Sequence, residues 1–318
     1  MILITGAGGM IGSHMVDYYA SAGEQVVGTY YMPTVDITEI DRHATMLPCD
    51  VRDAGRLDAI VRSYKPSTIF HLAAQSYPAV SWDKPLETME INSGGTVNLF
   101  ESIKRVRQID SSYDPMVVVA CSSAEYGASL ASLDRPATED TPLLPLHPYG
   151  VSKVAQDLLA YQYYQNDGIR CIRARIFNTT GTRKRGDVCS DFVRRVVEVE
   201  RSGASSYEIR VGNLETRRAI MDVRDTLAAL VMLSEHGSSG DVYNVSSSKV
   251  YSISEVIGVL GSVVGQQIYP ISDKSLFRPT DESIITGDVS KLVRDTGWVQ
   301  SISLEETLST MLDYWRKK

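Results

Sequence analysis

Cysteines are few in this sequence, and their spacing matches no disulfide framework or metal-binding pattern. The four cysteines, Cys49, Cys121, Cys171 and Cys189, lie far apart, and none belongs to a Cys-x-x-Cys pair. The five histidines include no His-Glu-x-x-His spacing. We therefore expect reduced, buried thiols and no bound metal ion.

Basic charge and long apolar runs are also scarce. The formal net charge is −7, whereas binding to nucleic acids or anionic membranes needs a basic surface. No apolar run approaches the roughly 20 residues that span a bilayer. The first residues, MILITGAGG, lack the basic start and longer apolar run of a signal peptide. The composition thus predicts a cytoplasmic protein without nucleic-acid or membrane partners.

Short apolar segments alternate with helical ones along the first half of the 318-residue chain. Near-continuous apolar runs predict strands at residues 1–5, 25–30, 44–49, 68–72, 116–121 and 171–177. Helical spacing predicts helices between them, including long ones at residues 86–106 and 150–165. Strands that are apolar on both faces are typical of a parallel sheet covered by helices on both sides.

The later half has glycine- and arginine-rich loops between helices at 190–202 and 222–236, a strand at 241–245 and two further helices in the tail. The sequence thus predicts an α/β fold with two domains. A doubly wound parallel sheet of the Rossmann type covers residues 1–177, with residues 222–246 returning to it, and a smaller α/β substrate domain covers 178–318. Because no repeat or flexible linker separates them, we expect a ligand site in the cleft between the two.

Three glycines follow the first predicted strand at the spacing Gly6-x-x-Gly9-x-x-Gly12. Glycine lets the backbone turn tightly and approach a pyrophosphate. The charge of that group then lies at the positive end of the following helix, which begins near Met10 and Ile11. The spacing differs from the Gly-x-Gly-x-x-Gly fingerprint, and a plain glycine turn is the alternative interpretation.

Tyr149 and Lys153 are four residues apart at the start of a predicted helix, so their side chains share one face. A nearby ammonium lowers the pKa of a tyrosine from its ordinary value of about 10, and the pair can then act as a general acid or base. Ser122 and Ser123 end a predicted parallel strand, where a hydroxyl can hydrogen-bond a reacting oxygen. Tyrosine and lysine at this spacing also occur on ordinary helices, and serines also form turns.

Six motifs, in order, resemble those of the extended short-chain dehydrogenases/reductases. They are the glycine motif, Asp50-Val51, His71-Leu-Ala-Ala74, Asn92-x-x-Gly95-Thr96-x-Asn98-Leu99, Cys121-Ser-Ser-Ala-Glu-Tyr-Gly127 and Tyr149-Gly-Val-Ser-Lys153. The resemblance covers nearly the whole chain and implies a Rossmann domain for NADP(H) or NAD(H), followed by a domain for a nucleotide-linked sugar. It implies an adenine site at Asp50 and Val51, a dinucleotide lining of Leu72, Ala73 and Ala74, and a catalytic set of Ser122, Tyr149 and Lys153, with Ser123 as the alternate serine.

The second half resembles the branch of this family that modifies GDP-mannose. The matching segments are Phe177-Asn178, Thr182-Arg-Lys-Arg-Gly186, Val211-Gly-Asn-Leu-Glu-Thr-Arg-Arg218 and Arg278-Pro-Thr-Asp281-Glu282. Because a planar guanidinium donates two parallel hydrogen bonds, Arg218 and Arg278 are candidates for clamping the pyrophosphate, and Arg185 is a further substrate-binding candidate. The resemblance places Asn178 on the sugar or phosphate and Glu282, or Asp281, on the ribose hydroxyls. A solvated surface charge is the alternative for any single arginine.

The serine loop departs from that of the dehydratases in this branch. Those enzymes carry Thr-(Asp/Ser)-Glu, in which the glutamate removes the C5 proton of the sugar. Here the corresponding residues are Ser122, Ser123 and Ala124, and alanine cannot abstract a proton. Glu125 comes one residue late, which turns a side chain on an extended segment to the opposite side. We expect Glu125 to be a solvated carboxylate.

We therefore expect hydride and proton transfer at one carbonyl rather than elimination of water. The segment Arg218-Ala-Ile-Met-Asp222-Val-Arg-Asp225 also resembles reductases that convert GDP-4-dehydro-6-deoxy-D-mannose to GDP-D-rhamnose, and the short connection at 30–44 favours the same reaction. The alternatives are a GDP-mannose 4,6-dehydratase, a nucleotide-sugar C4-epimerase and a non-catalytic cofactor sensor.

The sequence leaves the choice of cofactor open. Strand 25–30 ends at Tyr30-Tyr31, with neither an aspartate for a ribose 2′-hydroxyl nor an arginine for a 2′-phosphate. NADH and NADPH are both compatible with this strand end. By the resemblance, the helices at 86–106 and 150–165 of two copies form a four-helix interface in a two-fold homodimer.

Overall fold

The computed structural model describes residues 1–276 and 284–318. Its strands are β1 (Ile2–Thr5), β2 (Val26–Tyr30), β3 (Thr45–Pro48), β4 (Thr68–His71), β5 (Met116–Ser122), β6 (Cys171–Ile176), β7 (Thr179–Thr180), β8 (Tyr207–Val211), β9 (Arg217–Ala219), β10 (Met221–Asp222), β11 (Val242–Val245), β12 (Val250–Ser252), β13 (Ile268–Ser272) and β14 (Ile284–Ile285). Its helices are α1 (Met10–Ser21), α2 (Ala54–Tyr64), α3 (Pro78–Asp83), α4 (Pro85–Met89), α5 (Gly95–Ile109), α6 (Pro148–Asp167), α7 (Val188–Ser202), α8 (Val223–His236), α9 (Ile253–Val264), α10 (Ser290–Thr296) and α11 (Leu304–Arg316).

Seven parallel strands form the central sheet in the order β11-β6-β5-β4-β1-β2-β3. Parallel pairing requires the chain to cross back between strands, and helices make most of these crossings here. The strand order reverses between β1 and β4, and a doubly wound sheet opens its ligand crevice at such a switch point. The predicted α/β class and doubly wound parallel sheet are confirmed.

Both faces of the sheet are buried, which explains the unbroken apolar runs of its strands. On one face Ile4 of β1 joins a cluster with Met15 of α1 and Leu230 of α8. On the other face Leu3 joins Leu57 of α2 and residues of α5 and α6. Neighbouring residues of one strand thus serve opposite faces. Among the described helices, none is both long and apolar enough to cross a bilayer.

The later segments pair their short strands apart from the central sheet and have a core of their own. β8 pairs with β13, β9 lies between β12 and β14, and β7 pairs with β10. Helices α7, α9 and α11 bury a shared core, with Phe192, Leu260 and Leu308 among its residues. A domain boundary at residue 177 stays a prediction.

The helices of the tail differ from the sequence prediction. Beyond β11 the described chain contains α9, α10 and α11 rather than two helices. Helix α10 has only 7 residues, too few to show a clear apolar period. It packs against α8 and β11, and Leu292 and Trp298 enter the core of the central sheet.

The long helix expected at residues 86–106 is interrupted. A π-helical turn, Glu90–Gly94, joins α4 to α5. Within this turn, Asn92 Nδ2 donates to the Gln75 carbonyl at 3.1 Å and to Ser152 Oγ at 2.8 Å, and its Oδ1 accepts the Gln75 N–H at 2.8 Å. The bulge therefore ties α5 to the loop after β4 and to α6, and π-bulges are frequent at functional sites.

Candidate active site

Glycines allow helix α1 to approach the switch point closely. Gly6 follows β1 with a positive φ of 73°, and a Cβ there would lie 2.6 Å from the Ala73 amide nitrogen, just after β4. A Cβ on Gly12 would lie 2.3 Å from the Gly6 carbonyl oxygen. The loops after β1 and β4 and the start of α1 can therefore meet backbone to backbone only with glycine at these positions.

The first turn of α1 presents backbone N–H groups at this crevice. Gly9 is the N-cap and supplies no side chain for the amides of Met10, Ile11 and Gly12. First-turn amides and the positive end of the helix dipole together bind phosphate groups. The described residues therefore fit the pyrophosphate of a dinucleotide, as the glycine spacing predicts.

The loop after β4 is fixed beside β1 and lines the same crevice. The Leu72 amide donates to the Thr5 carbonyl at 3.2 Å, and the Ala73 amide donates to Thr5 Oγ1 at 3.3 Å. Ala74 continues this loop and is half-buried. The structure thus places all three predicted lining residues, Leu72, Ala73 and Ala74, next to the glycine motif.

The predicted adenine residues, Asp50 and Val51, follow β3. Beside them lies Arg52, a basic residue that the sequence patterns did not indicate. Asp50 pairs with Arg52, with Nη2 2.7 Å from Oδ2. The Arg52 guanidinium carbon lies 5.8 Å from the centre of the Tyr31 ring, just past β2. Val51 packs against Gly95, where a Cβ would come within 2.5 Å of Val51 Cγ2. No arginine was expected at the end of β2 because Arg52 reaches it from the turn that follows β3.

Ser122, Tyr149 and Lys153 come together where β5 ends and α6 begins. All three are buried, with 8%, 9% and 3% of their surfaces exposed. Burial raises the pKa of Tyr149 to about 12, and a hydrogen bond with the Ser122 side chain opposes this shift. Lys153 Nζ lies 5.9 Å from the centre of the Tyr149 ring, and burial lowers the pKa of this ammonium. Ser123, the alternate serine, begins the 3-10 turn after Ser122.

Local sequence explains why Tyr149 lies in the first turn of α6. Pro148 suits the first position of a helix, and His147 Nδ1 caps the helix by accepting the Gly150 N–H at 3.0 Å. A Cβ on Gly150 would lie 2.7 Å from the Ala124 carbonyl oxygen. Glycine therefore lets the start of α6 approach the serine loop closely.

The prediction that Glu125 is a solvated carboxylate is wrong. Its side chain is fully buried, and Oε1 accepts the Ser122 backbone N–H at 2.7 Å. Ser122 Oγ accepts the Ala124 N–H at 3.2 Å. The Ser122 side chain thus caps the backbone of the 3-10 turn while the Glu125 side chain caps the backbone of Ser122, which is a capping box. The one-residue offset turns the carboxylate into the protein interior rather than into solvent.

Glu125 belongs to a buried ion-pair cluster. Its Oε2 lies 3.2 Å from Arg175 Nε, and Asp157 Oδ2 lies 3.0 Å from the same nitrogen. Asp157 Oδ1 also pairs with Arg173 Nη1 at 2.7 Å. Burial and the Asp157 carboxylate raise the pKa of Glu125 well above its ordinary value, while Arg175 opposes the shift. Cys121 Sγ lies within 4.8 Å of an oxygen of each of the two acids, a grouping that could hold a metal ion. The guanidiniums of Arg173 and Arg175 already lie against these acids, so we interpret the group as a structural cluster.

The predicted substrate residues are distributed over the second half of the chain. Asn178 follows β6, and its buried Nδ2 has no hydrogen-bond partner within the described residues, which suits a donor that serves a ligand. Arg218 lies in β9. Arg185 instead contacts α11, with its guanidinium carbon 5.5 Å from the centre of the Trp315 ring. Three predicted positions lie outside the described residues: Arg278, Asp281 and Glu282.

Residues 3–311 match the family model for GDP-mannose 4,6 dehydratase. This protein belongs to that family. The GDP-6-deoxy-D-mannose reductase of Pseudomonas aeruginosa is 26% identical over 317 residues, which cover 100% of this chain and 97% of that protein. The structure of RMD from Pseudomonas aeruginosa complexed with NADPH has a TM-score of 0.83 and 26% identity, with 99% of each chain covered.

A UDP-glucose 4-epimerase from Thermotoga maritima shares the fold, with a TM-score of 0.88, 23% identity and coverage of 99% of this chain and 98% of that one. The predicted family and fold are confirmed by these comparisons. The family, the Pseudomonas aeruginosa reductase and the epimerase are all named for reactions of nucleotide-linked sugars.

Proposed function

We propose that this protein uses NADPH or NADH to reduce the C4 keto group of GDP-4-dehydro-6-deoxy-D-mannose, giving GDP-D-rhamnose. The placement of Glu125 carries the proposal. In the dehydratases the base is a glutamate at the position that Ala124 occupies here. The nearest acid in the sequence, Glu125, accepts a hydrogen bond from the Ser122 backbone N–H and lies against Arg175. Without a base for the C5 proton, the serine, tyrosine and lysine support transfer at a single carbonyl.

Tyr149 supplies the proton in this mechanism. Its phenol, which burial keeps protonated, donates to the sugar O4 as the carbonyl becomes an alkoxide. The Ser122 hydroxyl donates a hydrogen bond to the same oxygen and stabilises its growing charge. The Lys153 ammonium stabilises the phenolate that remains, and each unit by which it lowers the tyrosine pKa corresponds to about 1.4 kcal/mol. When bound, the reduced nicotinamide supplies the hydride.

The glycine crevice supports a nicotinamide dinucleotide as cofactor. The first-turn amides of α1 would hold its pyrophosphate, and Asp50 and Val51 would contact its adenine. The similar Pseudomonas protein was solved with NADPH, which supports NADP(H) or NAD(H) here.

Asn178 is the substrate ligand that the described geometry supports best, because its Nδ2 is buried and unpartnered within the described residues. We assign it to the sugar or phosphate of the substrate. Arg218, Arg278 and Glu282 stay proposed ligands of the pyrophosphate and ribose, and Arg185 stays a weaker proposal because it contacts Trp315. The relationship to the GDP-6-deoxy-D-mannose reductase supports guanine as the base.

An exposed apolar patch supports a homodimer. We call it the helix patch; it lies on α3, α4 and α6, has exposed fractions between 43% and 70%, and comprises Trp82, Leu86, Val151, Leu158 and Tyr161. Apolar patches of this kind on soluble proteins mark interaction sites. A two-fold pairing would bring the interrupted helical segment 85–109 and α6 of both copies into the expected four-helix interface. We propose this assembly and a cytoplasmic location.

The reaction is tested by following reductant absorbance with the purified protein and identifying the sugar product. A reductase oxidises NADPH or NADH with GDP-4-dehydro-6-deoxy-D-mannose and forms one new GDP-deoxyhexose. A dehydratase forms a 4-keto product from GDP-mannose without added reductant. An epimerase carries tightly bound NAD and interconverts C4 epimers without added reductant, and a cofactor sensor binds NADPH without turning over any of these sugars. Each of the last three outcomes would contradict the proposal.

A further inference from the structure

We propose that Gln156 is a positioning residue for Lys153. Its amide oxygen holds the ammonium, and a buried hydrogen-bond chain through Thr96 and His71 holds the amide. The inference rests on the proposed catalytic role of Lys153. The evidence for it is the set of hydrogen-bond distances along this chain and the number of donors and acceptors that each group has.

The Lys153 ammonium is anchored on two neutral oxygens. Nζ donates to the Ala120 carbonyl at 2.8 Å and to Gln156 Oε1 at 2.7 Å. Ala120 lies in β5 of the central sheet, so its carbonyl is fixed by the backbone, whereas Gln156 is a flexible side chain that is fully buried. The two oxygens replace the water that burial removes from the charge, and one of the three N–H donors is left for a cofactor ribose.

Thr96 determines which end of the Gln156 amide faces Lys153. Gln156 Nε2 donates to Thr96 Oγ1 at 2.8 Å, and the Thr96 hydroxyl donates to the Asn92 carbonyl at 2.7 Å. Because its hydrogen is already used, Thr96 Oγ1 can only accept from the glutamine. A flipped amide would place oxygen against oxygen at Thr96 and an N–H group against the ammonium. The Gln156 oxygen is therefore held on the lysine side.

His71 continues the chain toward the dinucleotide crevice. Its Nε2 lies 3.1 Å from Thr96 Oγ1, and its Nδ1 lies 2.8 Å from Thr5 Oγ1. Since Thr96 accepts, Nε2 carries the hydrogen and Nδ1 accepts the Thr5 hydroxyl, which in turn accepts the Ala73 N–H at 3.3 Å. Burial and the charge of Lys153 lower the pKa of His71 to about 3, so the ring stays neutral and keeps these directions. The chain thus links Ala73 with Lys153.

Two substitutions of Gln156 separate the positioning role from a general contribution to folding. Gln156→Leu removes the acceptor at similar volume. Gln156→Glu keeps an oxygen for Lys153, and the Thr96 hydroxyl can turn from the Asn92 carbonyl to donate to the second carboxylate oxygen. We expect Gln156→Leu to weaken NADPH binding, measured by nicotinamide fluorescence, and to lower kcat, each about tenfold. Gln156→Glu should stay within about threefold of the natural protein in both measurements.

Binding of 2′,5′-ADP is the internal control, because this fragment lacks the nicotinamide ribose. Its affinity should be unchanged in Gln156→Leu. Tyr163→Phe removes a different hydrogen bond from α6, to Glu101, and should leave NADPH binding unchanged. Should Gln156→Leu fold poorly, Thr96→Val and Thr96→Ser give the same comparison, with loss expected for valine and retention for serine.

Equal NADPH affinities for the leucine and glutamate variants would overturn the proposal. Parallel loss of 2′,5′-ADP affinity in Gln156→Leu would also overturn it, because the whole crevice would then be disturbed. These binding measurements need no sugar substrate. Failure of the proposed reductase reaction would therefore be distinguishable from failure of this inference.

Discussion

Glu125 Oε1 accepts the backbone N–H of Ser122 at 2.7 Å, so the carboxylate next to the proposed catalytic serine holds the loop on which that serine lies. Arg175 Nε, on β6, lies 3.2 Å from its other oxygen. With one oxygen on the Ser122 amide and the other buried beside Arg175, this side chain is fully buried and exposes no oxygen to a sugar. This arrangement supports the proposed reductase over a dehydratase more strongly than the missing acid at Ala124 does alone.

Substitution of Glu125 should affect stability and loop geometry rather than remove a base. Glu125→Gln keeps an oxygen for the Ser122 amide, so this variant should retain reductase turnover within about threefold and lose about 1 kcal/mol of stability. Glu125→Leu leaves that amide and Arg175 with fewer partners, and should cost about 3 kcal/mol and lower turnover further. Urea unfolding and NADPH oxidation measure both quantities. Complete loss of turnover in a stably folded Glu125→Gln variant would show that the carboxylate acts chemically.

Replacing Tyr149 with phenylalanine should remove the proton donor without changing the shape of the site. We expect NADPH oxidation with the keto sugar to fall between about a hundredfold and ten-thousandfold, the usual contribution of general acid catalysis. NADPH affinity should be retained, because the lysine and the glycine crevice are untouched. Tyr163→Phe is the same substitution further along α6 and should retain full turnover. Full turnover in Tyr149→Phe would reject the catalytic assignment.

His71 should make the protein sensitive to acid. Burial lowers its pKa to about 3, so the native state resists a proton that the unfolded chain accepts. The free energy of unfolding therefore falls as the pH drops below about 6.5, and this group alone accounts for about 2 kcal/mol between roughly pH 7.5 and roughly pH 5. Glutamine keeps a donor and an acceptor and does not titrate.

Urea titrations at these two pH values should therefore show a smaller acid loss for His71→Gln than for the natural protein. The same substitution at the exposed His236 is the matched control and should leave the acid loss unchanged. An identical acid loss in His71→Gln and the natural protein would mean that other groups account for the pH dependence.

Charge in the helix patch should disrupt the proposed homodimer. Leu86 and Leu158 expose 70% and 52% of their surfaces, and a glutamate at either position would place an unpaired charge in the apolar interface. We expect Leu86→Glu and Leu158→Glu to be monomeric by light scattering. Ile109→Glu, at the far end of α5 with 69% exposure, should leave the mass unchanged. A monomeric natural protein, or a dimer that survives both patch substitutions, would contradict the assembly.

Sequence patterns located the central sheet and the nucleotide crevice because both depend on local rules. Strands buried on two faces show as apolar runs, and the glycine spacing reports a close backbone approach that no other residue allows at Gly6 or Gly12. The grouping of Ser122, Tyr149 and Lys153 was predictable for a related reason. Ser122 ends a strand, and Tyr149 and Lys153 share one helical face.

The surroundings of these residues could not be predicted, because their partners come from distant parts of the chain. Glu125 is buried by Arg175 on β6 and Asp157 on α6, which a local pattern of polar residues does not reveal. Arg185 contacts Trp315 on the last helix, although its motif suggested a substrate ligand. Gln156 was missed because an amide inside an amphipathic helix carries no spacing signal.

The transfer of a labelled hydride tests the central claim, that this site reduces C4 and cannot remove the C5 proton. In one reaction, NADPH carrying deuterium at the transferred position is mixed with GDP-4-dehydro-6-deoxy-D-mannose. In the other, GDP-mannose is incubated with the protein and NADP+ or NAD+ in deuterium oxide, and both sugars are analysed by NMR. We predict deuterium at C4 of a new GDP-deoxyhexose and unchanged GDP-mannose. A 4-keto product from GDP-mannose with solvent deuterium at C5, and no label at C4 in the first reaction, would contradict the account.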